Sequence, residues 1–475
     1  MCRSAHNRKT VAIPRGSAGA SDLDPSSSSS TSPTVAPQND ALVALGAVFL
    51  LLAMGFSALG SDPWSFNPGT VRADGALGWV VRLAGSRWDV GLLQAGIVVA
   101  LAAVSAVGVV VARGWQPRAA TLLAIVMLAC ACAVLPAVVL QVALREGTAQ
   151  WFYTNDSTYQ IEMAGDLAND GHTPYDHDYR SSGLARFYTG RGTIPARVDE
   201  IVALRHFPYF PGMVDLSAAW RGLPAPANDF RLLIALATLM LVPAALLYPG
   251  PYGLRLALGA ALACNPVAVR LAWFGNADTL CVLALVVAFG LAVRGQARSA
   301  GAALAVAILI KQFALAAIPA LLVLVLFKTS RRGALQAALL GALVLTAGFI
   351  PFLVASPTAV WRDTVAYGAG TFHVVSYGLS GMLVRMGVVG RHSTGYPFFG
   401  LVALVWLPIT AYLTALQYRS QVAWTAGAAF TVSIFVLIAI ARVFQENYII
   451  YPLSGLFVGL LLALDERSQP AIASP

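Results

Sequence analysis

The stretch from Trp151 to Tyr179, WFYTNDSTYQIEMAGDLANDGHTPYDHDY, interrupts an otherwise greasy chain. It follows an apolar run ending near Leu144 and opens some eighty residues of polar, acidic and aromatic sequence before hydrophobicity returns. Everything around it reads as membrane. Of the 475 residues, 58% are hydrophobic and only 11% charged, which excludes an ordinary soluble domain. Runs of about twenty apolar residues, enough to cross roughly 30 Å of hydrocarbon, recur along the chain. They are placed near 41–60, 90–112, 119–144, 230–248, 254–271, 277–293, 299–310, 312–327, 333–355, 398–417, 422–441 and 448–464. The expected fold class is therefore an all-α polytopic membrane protein of about 12 transmembrane helices. The pair flanking Lys311 is short and also reads as one kinked or re-entrant unit.

Basic residues in short loops set the expected orientation. Arg113, Arg118, Arg255, Arg294, Arg298, Lys328, Arg331, Arg332 and Arg419 fall on alternate, same-side connections, as does the N-terminus with Arg3, Arg8, Lys9 and Arg15. That side is predicted to be cytoplasmic, with both termini on it. The formal charge of +9 is then a topology signal, and no basic face calls for a nucleic-acid partner. Residues 1–40 include SDLDPSSSSSTSPT, a Ser/Pro-rich stretch expected to be a disordered cytoplasmic N-terminus. It has no apolar signal region, so the first span is expected to serve as an uncleaved anchor. The membrane domain is expected over 41–465, with outward loops at 61–89, 145–229 and 356–397 and a cytoplasmic tail at 466–475. The smallest loop carries Trp64, Trp79 and Trp88, suited to headgroup level. Four of the five cysteines, Cys130, Cys132, Cys264 and Cys281, fall within spans, where they act as small apolar residues; neither a disulfide nor a metal site is expected.

Within the long loop, Ser157-Thr158-Tyr159-Gln160 fits a capping box opening a helix through about Asn169. Tyr159, Met163 and Leu167 make a stripe that predicts a short amphipathic helix lying on the membrane. Asp170-Gly171 ends it, and the aromatic-proline segment Arg205–Gly212, RHFPYFPG, leads into a second helix near 213–220. Asp156 is the first candidate for chemistry. Before a helix its charge also suits the N-terminal dipole. Its company is Asn155, Glu162, Asp166 and the GHTPY turn with Tyr175, and a carboxylate at a bundle mouth can take a proton from a hydroxyl. Lys311 is the second, in LAVAILIKQFALAAIP. It either snorkels to the interface or meets a lipid phosphate as counter-charge.

Arg270, Arg385 and Arg442 stand near outer span ends, as anchors or as bidentate phosphate contacts. Gly275-Asn276-Ala277-Asp278 is a very short outer turn in which Asp278 is expected to pair with Arg270. Gln445, Glu446 and Asn447 beside Tyr448 and Tyr451 suit a wet cavity at the start of the last span. His206 and Tyr209 of the aromatic-proline segment complete the candidates. His172, His177, His206, His373 and His392 all lie in outer loops without the spacing of a metal motif.

These residues resemble the first loop of GT-C fold glycosyltransferases: a loop aspartate, a helix, G-x-x-PY, and FPYFP. NPVAVRLAWFGNADTL followed by RGQARSAGAALAVAILIKQFALAAIP is similar to the corresponding stretch of glycosyltransferase family 87 and its mannosyltransferase relatives, as is the later RVFQENYIIYP. The resemblance covers about 150–330 and 440–455. It implies a GT-C-like fold whose large outward loops carry short helices, and a multi-pass enzyme of the cell membrane working on its outer face. By this resemblance Asp156 is the catalytic base and Lys311 the basic residue close to the donor phosphate; from their places near span ends, Arg270 and Arg442 are expected to bind that phosphate too. Asn155, Glu162, Asp166, Tyr175, His206, Tyr209, Asn276, Asp278, Gln445, Glu446 and Asn447 are expected to contact substrate. The implied donor is a polyprenyl-phosphate sugar, mannose or arabinofuranose, used as co-substrate with inversion; the acceptor is an envelope glycolipid or polysaccharide. No cofactor and no divalent metal are expected. Where the family commonly has paired acids, this chain has Asn155-Asp156. A lipid or sugar transporter is the rival class; it accounts for the spans but not for a large one-sided loop rich in Tyr, Trp, Asp and His. A non-catalytic envelope scaffold is the third class, and it leaves Lys311 without a role.

Overall fold

The computed structural model describes residues 38–59, 72, 74–84, 90–148, 154–189, 202–372, 374–391 and 395–467. The Ser/Pro-rich stretch, Trp64, Trp88, His373, His392 and the last eight residues lie outside them. The described residues are helical almost throughout. Helices α1 (Gln38–Leu59), α2 (Gly78–Ala84), α3 (Val90–Ala112) and α4 (Ala119–Glu146) precede the long loop. The loop carries α5 (Asp156–Asn169), α6 (Arg186–Thr189) and α7 (Pro211–Arg221). Then come α8 (Phe230–Ala244), α9 (Tyr252–Cys264), α10 (Pro266–Phe274), α11 (Asp278–Val293), α12 (Ala297–Ile310), α13 (Ile318–Lys328) and α14 (Arg331–Ala355). The second long loop holds α15 (Pro357–Trp361), a π-helical turn over Arg362–Thr371 and α16 (Leu379–Arg385). The chain finishes with α17 (Phe398–Leu401), running through a π-helical turn into α18 (Leu407–Ser420), then α19 (Trp424–Ile440) and α20 (Ile450–Arg467).

Seven helical stretches are long and apolar enough to cross a membrane, or eight if a bent pair counts as one span. This is an all-α polytopic membrane protein. The bent pair is α9–α10, read from sequence as the single span 254–271, and it turns by 47°. The cause is local. Pro266 cannot continue the hydrogen-bond ladder of α9, and the Asn265 side chain caps α10 instead, accepting from the Ala268 N–H at 3.0 Å. Four apolar helices are shorter: α11, α12, the segment Gln312–Lys328 and α19. The fourteen residues of α12 rise only about 21 Å at 1.5 Å each. They stop at Lys311, whose extended backbone (φ −151°, ψ 128°) breaks the helix before the chain turns back through Gln312–Ala317.

Small residues let the helices touch backbone to backbone, the packing mode available where lipid offers no hydrophobic contrast. A Cβ on Gly301 of α12 would fall 2.0 Å from the Ala337 carbonyl oxygen of α14, and one on Gly427 of α19 would fall 2.2 Å from Gly459 N of α20. The faces of α14 and of Phe398–Ser420 that look away from the bundle stay apolar and exposed, as at Leu339, Leu343, Leu404 and Leu407.

The basic turns gather at one end. Arg255 donates to the carbonyls of Leu246 (3.1 Å) and Tyr248 (2.9 Å). Arg294 donates to those of Leu247 (2.5 Å) and Leu246 (2.8 Å). Both thus satisfy orphan acceptors where α8 ends. At that same end the Tyr252 hydroxyl reaches Ala119 O at the start of α4 (2.8 Å). The far end of α4 carries Arg145, and there the long loop is fastened. Arg145 Nη1 meets Glu162 Oε1 of α5 and Asp229 Oδ2, each at 3.0 Å, and its Nη2 meets Glu162 Oε2 at 2.6 Å. Asp229 also receives Arg231 Nε (2.9 Å) and Nη2 (2.7 Å), and Glu162 Oε1 accepts the Phe230 N–H (2.9 Å).

The α5 stripe does not lie on the membrane as the sequence suggested. Tyr159 and Ala164 are buried in a separate small core with Tyr175, Phe207, Val214 and Val360, and Met163 and Leu167 pack against it. α7 lies against α5 so closely that Gly165 has no room for a side chain beside Ser217. The aromatic residues of the loop supply the apolar surface that lipid was expected to supply.

Arg145→Met should leave Glu162 and Asp229 buried with one cation fewer. Removal of one partner from a buried pair costs about 3–5 kcal/mol, to be read as a loss of stability in SDS-driven unfolding. Arg221→Met breaks the Arg221–Asp166 pair, whose carboxylate is 48% exposed; it should cost less than about 1 kcal/mol. Equal losses would show that Arg145 is not the fastening point.

Candidate functional site

The site begins with the start of α5. Asn155, and not the Ser157 of the expected capping box, is the N-cap: its Oδ1 accepts the Thr158 N–H at 2.8 Å. Asp156 therefore becomes the first helical residue, its charge favoured by the helix N-terminus. Its Oδ1 accepts its neighbour's Ser157 N–H (2.9 Å) and its Oδ2 accepts the Tyr188 hydroxyl (2.9 Å). Burial, and then the Asp156 carboxylate, push the Tyr188 phenol well above its ordinary range, so it stays a donor. Ser157 Oγ is 2.5 Å from the Tyr209 hydroxyl, and one turn on, Gln160 Nε2 donates to His206 O at 2.8 Å.

Lys311 approaches from the bundle. Its Nζ lies 2.8 Å from Asp278 Oδ1, at the first residue of α11, and 5.4 Å from the ring centres of both Tyr209 and Tyr448. The Tyr451 hydroxyl donates to Asp278 Oδ1 (2.7 Å) and Asn447 Nδ2 to its Oδ2 (2.9 Å). Two expectations are corrected here. Asp278 pairs with Lys311 and not with Arg270, and the counter-charge of Lys311 is this carboxylate, with no lipid phosphate required. The cause is the turn before α11: Gly275 sits in the left-handed region (φ 74°), ending α10 and aiming Asp278 into the bundle. Gly275 itself is pressed against Thr158 and Arg231, where a Cβ would meet atoms at 2.6 and 2.7 Å.

Asp156, Lys311 and Asp278 line one cavity of about 490 Å³, together with Gln160, Tyr188, His206, Tyr209, Asn276, Arg442, Gln445 and Asn447. Arg442, almost fully buried, donates from Nε (3.1 Å) and Nη2 (2.9 Å) to Phe372 O. The strand after it, Val443–Phe444, pairs in parallel with Val375–Ser376 of the second long loop. Phe398, Phe399, Val402, Trp406 and Leu437 give the cavity an apolar wall.

Six residues expected at the site do not line the cavity. Asn155 caps α5. Glu162 and Asp166 are committed to Arg145 and Arg221. Tyr175 is buried, its hydroxyl donating to Tyr209 O at 2.8 Å, so it buttresses the wall. Arg270 and Glu446 lie 3.6 Å apart as a half-exposed pair. Arg385, on α16, lies outside the lining as well.

The sequence also missed partners. Asp363, 1% exposed, accepts from the backbone N–H of Asp176 (3.0 Å) and sits 2.7 Å from His206 Nδ1. Burial raises a carboxyl's pKa, but the His206 and backbone hydrogen bonds outweigh it and hold Asp363 below its usual range. The ring of Tyr367 stacks on His206 at 4.5 Å. Nothing in the spacing of WRDTVAY (Trp361–Tyr367) marks Asp363; only the packing of the two long loops brings it to His206. Among the described residues, no group of three or more His, Cys, Asp or Glu side chains is placed to hold a metal ion. No protein family, curated protein or solved structure gives a match to this chain.

Lys311→Met strands the Asp278 charge and Asp278→Asn strands that of Lys311. Each single change should cost about 3–5 kcal/mol, and the double change markedly less than the sum. A double-mutant cycle in SDS unfolding checks this; additive losses would mean the two groups are not coupled.

Proposed function

We propose that this protein is a membrane glycosyltransferase of GT-C type, transferring a sugar, mannose or arabinofuranose, from a polyprenyl-phosphate donor to an envelope glycolipid or polysaccharide. The observation that carries the reading is one cavity bordered by two carboxylates, two cations and an apolar wall: Asp156 and the Lys311-paired Asp278, Lys311 and Arg442, and the Phe398–Trp406 face. These are the parts the reaction needs. An acceptor hydroxyl oxygen attacks the anomeric carbon from the side opposite the phosphate. Its proton passes to Asp156 as the glycosidic bond forms, the carbon–oxygen bond to phosphate breaks, and the phosphate leaves with the electron pair, with inversion. Phosphate is a good leaving group, so cations near it suffice and no general acid is required. Because Asp278 already balances much of the Lys311 charge, Arg442 takes the larger share of the donor's phosphate. Lys311 then acts mainly by holding Tyr209 and Tyr448 in place. The apolar wall suits the prenyl chain.

In this reading the four shorter apolar helices cross with the long ones, making about twelve spans. The basic turns at Arg255 and Arg294 face the cytoplasm, and the cavity opens on the outer side of the cell membrane.

Two experiments test the proposal. Asp156→Asn keeps side-chain size and, because Asn155 is the cap, leaves α5 capped. The purified variant should unfold like wild type yet lose about 10²–10⁴-fold in sugar transfer from polyprenyl-phosphate mannose or arabinofuranose. Retention of more than about a tenth of wild-type turnover is too much for a lost general base and overturns the assignment. Single cysteines at the exposed positions Ser181 and Gln296, in a cysteine-free background, should label from outside and from the cytoplasm respectively. The reverse pattern overturns the outer-face assignment.

A further inference from the structure

The cavity holds a second polar device that the transfer step above does not use. His206 lines it, and its ring is held on two sides. Tyr367 stacks against the face at 4.5 Å, and Asp363 Oδ1 lies 2.7 Å from Nδ1. Every other contact of that carboxyl group is a donor: Arg362 Nε at 3.2 Å on Oδ1, and the backbone N–H groups of Asp176 (3.0 Å) and Phe207 (3.4 Å) on Oδ2. A carboxylate surrounded by donors can only accept, so Nδ1 carries the proton. In the Nδ1–H tautomer the ring presents an Nε2 lone pair, and among the described residues Nε2 has no hydrogen-bond partner. A carboxylate that fixes a histidine tautomer in this way also fixes what the ring can bind.

His206 and Asp156 line the same cavity. Gln160, which donates to the His206 carbonyl, is one helical turn after Asp156, and residues so spaced lie on one face roughly 6 Å apart. Two acceptors, one carboxylate and one imidazole nitrogen, thus face the same space. A molecule that satisfies both must offer two hydroxyl donors, as a sugar does. We propose that His206, held in its Nδ1–H tautomer by Asp363, binds a non-reacting hydroxyl of the acceptor sugar through Nε2 and so orients the reacting hydroxyl toward Asp156. The transfer role rests on the function proposed above; the hydroxyl-binding role does not. Asp363 is a positioning residue in this scheme, and the stacking of Tyr367 keeps the ring in plane.

The test uses full-length protein in lipid nanodiscs, labelled with ¹⁵N and ¹³C at its six histidines, with the His206 signals identified by their loss in His206→Gln. Wild type should show the Nδ1–H pattern for His206. Titration with a set of octyl glycosides (mannoside, glucoside, galactoside and arabinofuranoside) should shift its Nε2 resonance for at least one of them. In Asp363→Asn the amide oxygen keeps the two backbone donors, so the NH₂ faces Nδ1. The proton should then move to Nε2, and the glycoside-induced shift should disappear. In the transfer assay with polyprenyl-phosphate mannose, Asp363→Asn should raise the acceptor KM roughly tenfold, the cost of one unmade hydrogen bond, and leave the donor KM within about twofold. An Nε2–H pattern in wild type, the absence of a shift with all four glycosides, or parallel rises in donor and acceptor KM would each overturn the proposal. A wild-type protein that shows the glycoside-dependent shift but transfers no sugar would overturn the enzyme reading and leave the hydroxyl-binding role standing.

Discussion

The Lys311–Asp278 pair is the constraint around which the rest of the bundle is arranged. A lysine inside a membrane protein costs about 2.5–3.5 kcal/mol to insert at the centre of a helix, and a carboxylate carries a comparable cost. Together, at 2.8 Å and with Tyr451 and Asn447 completing the shell of Asp278, they can stay charged. The geometry demands a break in each of two helices. The chain must leave the helix at Lys311 to turn its ammonium inward, and α11 must begin at Asp278, after the left-handed Gly275. The short lengths of α11 and α12 follow from this meeting, as does the polar floor of the cavity between them.

A second ionic group fixes the layer of loop helices on this floor. Arg145 ends a long helix that starts at the basic face, and it donates both to Glu162 of the loop and to Asp229, the N-cap of α8. α5 is thereby clamped by its middle turn, and its first residue, Asp156, lines the same cavity as Lys311. The clamp is buried and the Asp166–Arg221 pair further along α5 is exposed, so the first carries the energy and the second merely follows. The small aromatic core around Tyr175 and Phe207 then closes the layer, and its edge is where Asp363 reaches His206.

Charge is distributed unevenly over the cavity in consequence. Lys311 and Asp278 largely cancel, while Asp156 meets a phenol, His206 meets a carboxylate, and Arg442 meets a backbone carbonyl. The surplus negative character lies on the loop side and the surplus positive character on the side of the last span. A ligand with hydroxyls at one end and a phosphate at the other matches that polarity, and the apolar wall at Phe398–Trp406 extends it toward lipid.

The sequence by itself determined the class of the protein and the residues worth watching. Apolar runs declare membrane helices because backbone polar groups in lipid must be satisfied internally. Local chemistry was legible too: α5 ends at Asn169 as read, α7 begins near the second predicted helix, and Pro266 and Gly275 act where their backbone restrictions require. Asp156, Lys311, Arg442, His206, Tyr209, Asn276, Asp278, Gln445 and Asn447 were all picked out, and all of them line one cavity. Only the tertiary structure decided who pairs with whom. Lys311 with Asp278, Arg145 with Glu162 and Asp229, and His206 with Asp363 join residues far apart in the chain, and no period or spacing encodes such a meeting. The same holds for Glu162, Asp166, Tyr175 and Glu446, whose polar groups looked available in sequence and are bound elsewhere in the fold. A charge's role depends on its nearest opposite charge or hydrogen-bond donor. In a helical membrane protein that neighbour lies on another helix, chosen by packing.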